Sequence, residues 1–339
     1  MKRTSVPRHP LQSGSEGLAP SRLSSEPNSG YSHPNSSGGG DFLHTSKRAL
    51  DGRAIAIVVS LCFLWGLSQV SIRAANRGVS PIFQAAIRSI VACALVAFWA
   101  RLRGMPLVHR DRTLFHGLAI GLLFGTEFAF VYLGLNYTTA SHAVILLYTA
   151  PIFVAVGAHW LLPAEPITTR KLVGLVLAFV GVVATFWDSL GYSTRLQLLG
   201  DCLSLTGGFL WAATSLYLKR VVRTSMTPSQ MLFYQLGFSA LQLSLMSLFL
   251  EPHPISSLGP VVLASMAYQG IIVAFASYLV WFWLIQVYPV SNISAFTFFT
   301  PIFGIFLGGV LLQEPFTVKL LVGGGLVTGG MALVNWPER

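Results

Sequence analysis

Charge is what this sequence has least of. Asp, Glu, Lys and Arg make up only 10% of its 339 residues, where an ordinary soluble domain carries roughly a quarter. Most of the chain therefore lacks the means to build a water-facing surface. Acidic residues are the scarcer kind, 12 against 22 Lys and Arg, for a net charge of +10. Such an excess points to nucleic acid only when the basic residues cluster on a soluble face. Here most lie in the N-terminal tail or in short links between apolar runs, so no nucleic-acid partner is expected. Cysteine is nearly absent too. Cys62, Cys93 and Cys202 are odd in number, far apart and inside apolar runs, which excludes a disulfide framework and reads as small buried hydrophobes. There is no His-Glu-x-x-His zinc motif, no pair of intramembrane aspartates and no nucleotide-binding glycine loop. No catalytic residue, metal or cofactor is assigned, and ATP hydrolysis by this chain is not expected.

What the sequence has is apolar length. Hydrophobic residues make up 53% of it, in runs of about 18 to 25 that recur from Ala54 to Trp336, long enough to cross a bilayer core of about 30 Å. The expected fold is an all-α polytopic membrane protein with the lipid bilayer as its surroundings. Spans are predicted at 54–72, 81–100, 113–134, 140–161, 170–187, 198–218, 229–250, 260–286, 291–312 and 317–336, ten transmembrane helices in all. Residues 1–50, rich in Ser, Gly and Pro, hold no apolar run, and a disordered cytosolic tail is predicted there. A transit peptide is the alternative, against which Glu16, Glu26 and Asp41 count.

The links alternate in charge. Lys47, Arg48 and Arg53, then Arg101, Arg103, Arg110 and Arg112, then Arg170 and Lys171, then Lys219, Arg220 and Arg223 all fall on one side. The other side has Arg73, Arg77, Arg195 and Lys319. By the positive-inside rule both termini are cytoplasmic.

The chain also repeats itself. Tyr148-Thr149-Ala150-Pro151-Ile152-Phe153 returns as Phe299-Thr300-Pro301-Ile302-Phe303, and Glu165-Pro166-Ile167-Thr168 as Glu314-Pro315-Phe316-Thr317. Ser141 and Ser291 each precede their proline by ten residues, Phe63-Leu64-Trp65 recurs as Phe209-Leu210-Trp211, and Arg73 lines up with Lys219. A repeat of about 150 residues is a duplicated domain, here 54–187 and 198–336. Each copy holds an odd number of spans, so the second enters the membrane from the opposite side. Two inverted five-helix repeats are expected, a construction common among secondary transporters. Gly117, Gly121 and Gly125 in the third span, and Gly304 and Gly308 in the ninth, are spaced for close helix contact.

Two halves that each carry an early Trp, a mid-span Pro-Ile-Phe and a Glu before the last span resemble the drug/metabolite transporter superfamily. More narrowly they resemble its EamA group of bacterial ten-helix exporters, over about residues 54–336. The resemblance implies a ten-helix basket with a central cavity and export of small metabolites, amino acids or drug-like solutes, from a bacterial inner (plasma) membrane. An organelle membrane is the alternative location. The substrate itself does not carry over. The rival functional classes are an intramembrane enzyme and a non-transporting scaffold or receptor.

Several residues could carry the chemistry. Pro151 and Pro301 remove an N–H each, freeing the carbonyls of Leu147 and Thr297; they are candidate hinges lining a cavity, or simple kinks. Glu165 and Glu314 each stand before a helix start, where a carboxylate caps orphan amides, and are read as structural caps. Trp65, Trp211, Tyr148, Phe298, Trp281 and Trp283 are candidates for an aromatic wall, with core packing or interfacial anchoring as the alternatives. His116, His142 and His159 lie near span ends, without metal-ligand spacing. Arg88 and Glu127 stand apart. Each lies about 12 Å inside the outer boundary at 1.5 Å per residue, and charges at that depth are normally paired or facing water. Their counterparts in the second half, about Tyr234 and Ser277, are uncharged. An Arg88–Glu127 ion pair is expected, either as a bridge between spans or as a site for substrate, with a proton on Glu127 as the candidate coupling ion.

Overall fold

The computed structural model describes residues 50–108, 113–135, 137–187, 194–220, 226–312 and 318–336. The tail expected at 1–50 lies outside them but for Leu50, and so does Glu314. In chain order the helices are α1 (Gly52–Ala75), α2 (Pro81–Leu102), α3 (Thr113–Leu135), α4 (Ala140–Leu147), α5 (Ala150–Leu161), α6 (Thr169–Thr185) and α7 (Arg195–Arg220). They continue with α8 (Pro228–Leu250), α9 (Pro260–Ala267), a π-helical stretch (Tyr268–Ser277), α10 (Tyr278–Val287), α11 (Val290–Ala295), a 3₁₀ turn (Phe296–Phe298), α12 (Phe299–Leu312) and α13 (Val318–Val334).

Among the described residues, seven stretches are long and apolar enough to cross a membrane: Gly52–Ala75, Pro81–Leu102, Thr113–Leu135, His142–Leu161, Pro228–Leu250, Pro260–Val287 and Val290–Leu311. Two more helices, α6 and α13, have 17 residues each, short of the roughly 20 that a full crossing takes. α7 has the length, 26 residues, but carries Gln197, Asp201, Ser204, Thr206, Thr214 and Ser215. Large side chains face outward, Phe249 at 80% exposure and Leu321 at 76%. In water such apolar surface would drive association; against lipid it is the expected exterior.

Local signals start the helices. Asp51 accepts from the Ala54 N–H at 2.8 Å and caps α1. Thr227 and Gln230 form a reciprocal capping box on α8. Pro81 opens α2 at a position where its missing N–H costs nothing. Both prolines of the repeated motif sit at breaks. α4 ends at Leu147 and α5 begins at Ala150; α11 ends at Ala295 and α12 follows the 3₁₀ turn. A threonine hydroxyl bridges each break, Thr149 Oγ1 to the Leu146 carbonyl and Thr297 Oγ1 to the Ser294 carbonyl, both at 2.6 Å.

The segments that echo one another in sequence touch one another in space. α2 and α8 lie antiparallel. The Glu251 carboxylate just past α8 accepts from Ile82 and Phe83 at the start of α2, at 2.9 and 2.8 Å. At the far end, Gln230 near the start of α8 donates to the Pro106 carbonyl beyond α2, at 3.1 Å. α6 and α13 are antiparallel as well, with Gly174 against Gly330 and Gly181 against Gly323. A Cβ at any of these four would meet backbone of the facing helix, so glycine is what lets the two approach. Gly117, Gly121 and Gly125 of α3 receive Tyr234, Phe238 and Gln242 of α8, one per turn. Phe63 of α1 meets Phe303 of α12 edge-on at 5.6 Å, and Phe209 of α7 meets Phe153 of α5 the same way at 5.8 Å. Phe63 and Phe209 hold the same place in the repeat, as do Phe153 and Phe303. One contact is therefore made twice, with the roles of the two copies exchanged.

Candidate functional site

Arg88 and Glu127 are both buried, at 3% and 8% exposure. The expected ion pair is not formed. No N–O contact within ion-pair distance joins them, and Arg88 Nε and Nη2 and Glu127 Oε2 have no hydrogen-bond partner. The reason is in the packing. α2 rests chiefly on α8 and the π-helical stretch, and α3 on α7 and α8, so α2 and α3 meet only over a short stretch. Arg88 instead lies over the ring of Phe128, with its guanidinium carbon 4.3 Å from the centroid, a cation–π geometry. Its charge still reaches the Glu127 carboxyl and the phenols of Tyr132 and Tyr278.

Around these charges the aromatic rings are continuous. Trp65 meets Trp281 at 5.3 Å and Tyr278 at 6.2 Å. Tyr278 meets Phe124 at 6.0 Å, Phe124 meets Phe128 at 4.8 Å, and Phe128 meets Tyr132 at 5.9 Å. The indole N–H of Trp65 donates to Ser277 Oγ at 2.8 Å, so the counterpart position of Glu127 holds a tryptophan. The belt draws on α1, α3, α10 and the π-helical stretch, hence on both copies of the repeat. The π geometry over Tyr268–Ser277 widens the turn beside the belt, a deviation frequent at functional sites.

The other aromatic candidates divide. Tyr148 and Trp211 pair edge-on at 5.8 Å. Phe298 is fully buried against Phe179 of α6 and not beside Arg88. Trp283 is 41% exposed and packs on Tyr288. Of the eight wall and charge candidates, Arg88, Glu127, Trp65 and Trp281 come together in one belt, and Tyr148 pairs with Trp211.

Glu165 does cap a helix, but not its own. Thr168 caps α6, accepting from Lys171 N–H at 3.3 Å. Glu165 reaches α11, accepting from the Val290 and Ser291 amides at 3.1 Å each and from the Ser291 hydroxyl at 2.8 Å. α6 already has a threonine in the capping place, which leaves the carboxylate free for a helix start that opens on Pro289 and has no side-chain cap.

Sequence reading missed three polar arrangements at helix ends. Lys219 donates to the Ile285 and Tyr288 carbonyls at 2.8 and 2.6 Å, at the end of α10. Glu251 caps α2, as described. Asp201 accepts from the Thr138 hydroxyl at 2.5 Å and faces His142 Nδ1 at 3.2 Å, between α7 and the start of α4. Glu251 and Asp201 stand out in a chain with 12 acidic residues, and that scarcity was the available signal. His116 meets the Tyr217 hydroxyl at 2.6 Å, and His159 accepts from Ile167 N–H at 3.3 Å. Among the described residues no group of His, Cys, Asp and Glu could hold a metal ion.

An all-helical chain with several bilayer-length apolar helices and buried charge among them is a multi-pass membrane protein. It matches the EamA-like transporter family twice, over residues 52–187 and 198–336, and belongs to that family. It is 24% identical over 303 residues to the uncharacterized transporter YvbV of Bacillus subtilis (strain 168), covering 85% of this chain and 93% of that one. It is also 24% identical over 286 residues to a protein of Escherichia coli (strain K12) named as a probable amino-acid metabolite efflux pump, covering 82% and 92%. A solved crystal structure matches with a TM-score of 0.74 at 20% identity, over 84% of this chain and 98% of that chain, which speaks to the fold.

Proposed function

We propose that this chain is a secondary transporter that exports small organic metabolites, amino acids or drug-like solutes, by alternating access. Ten spans form two five-helix repeats, 54–187 and 198–336, inverted in a bacterial inner membrane with both termini cytoplasmic and residues 1–50 as a cytosolic tail. Inversion is supported by the antiparallel packing of α2 on α8 and of α6 on α13, the pairs that share a place in the repeat. The orientation is supported by the alternation of Lys and Arg between links. The names of the bacterial relatives support the direction of transport.

The observation that carries the reading is the belt itself. Two buried charged side chains, each with unpartnered polar atoms, sit among rings supplied by both repeats. Buried charge in a membrane is costly and is kept where substrate or ions pass. Pro151 and Pro301, at matching breaks, act as the hinges in this reading, and Glu127 carries the coupling proton. Purified protein in liposomes, tested with a panel of amino acids and cationic drugs, should show saturable, protein-dependent flux of at least one solute. Flux equal to that of protein-free liposomes across the panel, with the protein folded and inserted, would overturn the reading in favour of a scaffold or an intramembrane enzyme.

A further inference from the structure

Arg88 leaves one edge of its guanidinium unused. Nε and Nη2 are the unpartnered nitrogens, and their N–H groups point the same way from adjacent positions. That edge is the fork that grips the two oxygens of a carboxylate side by side. Phe128 holds the guanidinium with its carbon 4.3 Å from the ring centroid and leaves the Nε–Nη2 edge as the free binding element. The nearby acid does not fill it, since Glu127 Oε2 is itself without a partner. A buried guanidinium without an anion or hydrogen-bond acceptors is strongly disfavoured, so the site as it stands is one half of a pair. The walls beside it are apolar: Phe124, Phe128 and Tyr132 follow one another along α3, and Tyr278 closes on Phe124.

We infer that the Nε–Nη2 edge of Arg88 is the docking point for the carboxylate of a transported monocarboxylate whose body is aromatic or apolar. The inference rests on the transporter reading and narrows it. The anionic group is what Arg88 selects, the ring belt holds the rest, and an ammonium on the ligand is not required. Cationic solutes are excluded from this subsite by the guanidinium. Lysine in its place would keep the charge and lose the fork.

The test uses the purified full chain in detergent with four probes: benzoate, 3-phenylpropionate, the methyl ester of 3-phenylpropionate, and 3-phenylpropylamine. Binding is read as a saturable rise of the thermal unfolding midpoint and as quenching of tryptophan fluorescence. At least one of the two carboxylates should bind, and the ester and the amine should not. Arg88→Lys should weaken carboxylate binding about tenfold or more, in line with the loss of a bidentate pair. Arg88→Gln should abolish it while unfolding, without ligand, at or above the wild-type midpoint. Equal binding of the amine or the ester, carboxylate binding undiminished in Arg88→Gln, or no binding of either carboxylate would overturn the assignment. Liposome flux separates this from the transporter reading. Carboxylate binding that depends on Arg88 without flux of any solute would strike the transporter reading alone. Flux of a carboxylate that is unchanged in Arg88→Gln would strike the anion site alone.

Discussion

The Glu165 carboxylate accepts the backbone N–H of Ser291 at 3.1 Å and the hydroxyl of the same residue at 2.8 Å. The two are 126 residues apart in the chain and belong to different copies of the repeat. Lys171 Nζ donates to the same hydroxyl at 2.5 Å. Just before this point Lys219 holds the last carbonyls of α10, and the Tyr288 hydroxyl reaches Asp51 at 3.4 Å. The break between α10 and α11 thus has a cation on its carbonyl side and an anion on its amide side, each matched to the helix dipole it faces. Where one helix stops and the next starts inside a membrane protein, backbone groups must be satisfied internally. Side chains from the other copy, with Lys219, meet that need here.

Glu165→Gln should lower stability by about 1.5 to 3 kcal/mol, the range for hydrogen bonds to a charged group. Thermal unfolding in detergent measures it. Glu251→Gln, which weakens the equivalent kind of cap on α2, should cost a similar amount. Wild-type midpoints in both would mean that these carboxylates are not what holds the helix starts.

Arg88 and Glu127 make no direct contact, but the guanidinium's charge reaches the carboxyl, so their mutations should couple through charge alone. A cycle of Arg88→Met, Glu127→Gln and the double variant should give a coupling of about 1 kcal/mol, below the roughly 3 to 5 kcal/mol of a broken buried pair. The double variant should fold and insert, yet lose substrate or proton dependence of flux. Coupling of several kcal/mol would restore a structural bridge, and wild-type flux with a wild-type pH profile would end the functional reading of the pair.

Replacing Pro151 or Pro301 by Ala restores a backbone N–H at a helix break. Turnover should slow more than substrate binding weakens, because the effect falls on a conformational step. Transport kinetics measured in both single variants decide it. Unchanged transport in both would leave the prolines as kinks.

The α6–α13 contact depends on Gly174 and Gly330. Leucine at either should force the helices apart and cost about 1 to 3 kcal/mol, as overpacking does. Gly325, whose added Cβ would meet nothing within 4 Å, serves as the control, and Gly325→Ala should leave the unfolding midpoint near that of wild type.

Much of this was legible in the sequence because a membrane simplifies the code. Apolar length locates helices, and the doubled Pro-Ile-Phe marks where they break. The Phe63–Phe303 and Phe153–Phe209 contacts follow from the same doubling once the copies face each other. The charge candidates were legible by depth, since Arg88 and Glu127 interrupt apolar runs. Their relation was not. Adjacency in sequence suggested that α2 and α3 are neighbours, whereas α8 and the π-helical stretch take the place beside α2. Glu165 was legible as a cap but not as the cap of α11, because a carboxylate before a helix start signals its own helix first. Nothing local to Asp201 or Lys219 announces the distant helix ends they serve.

The inversion of the two repeats can be tested at the matching ends of α2 and α8. Arg103 follows the first of these and Ser256 the second, and both are exposed. In a background with Cys62, Cys93 and Cys202 replaced by Ser, single cysteines at Arg103 and Ser256 would be treated with a membrane-impermeant thiol reagent on intact cells. The account predicts that Ser256→Cys is labelled from outside and that Arg103→Cys is labelled only after permeabilisation. Labelling of both positions from the same side would contradict it.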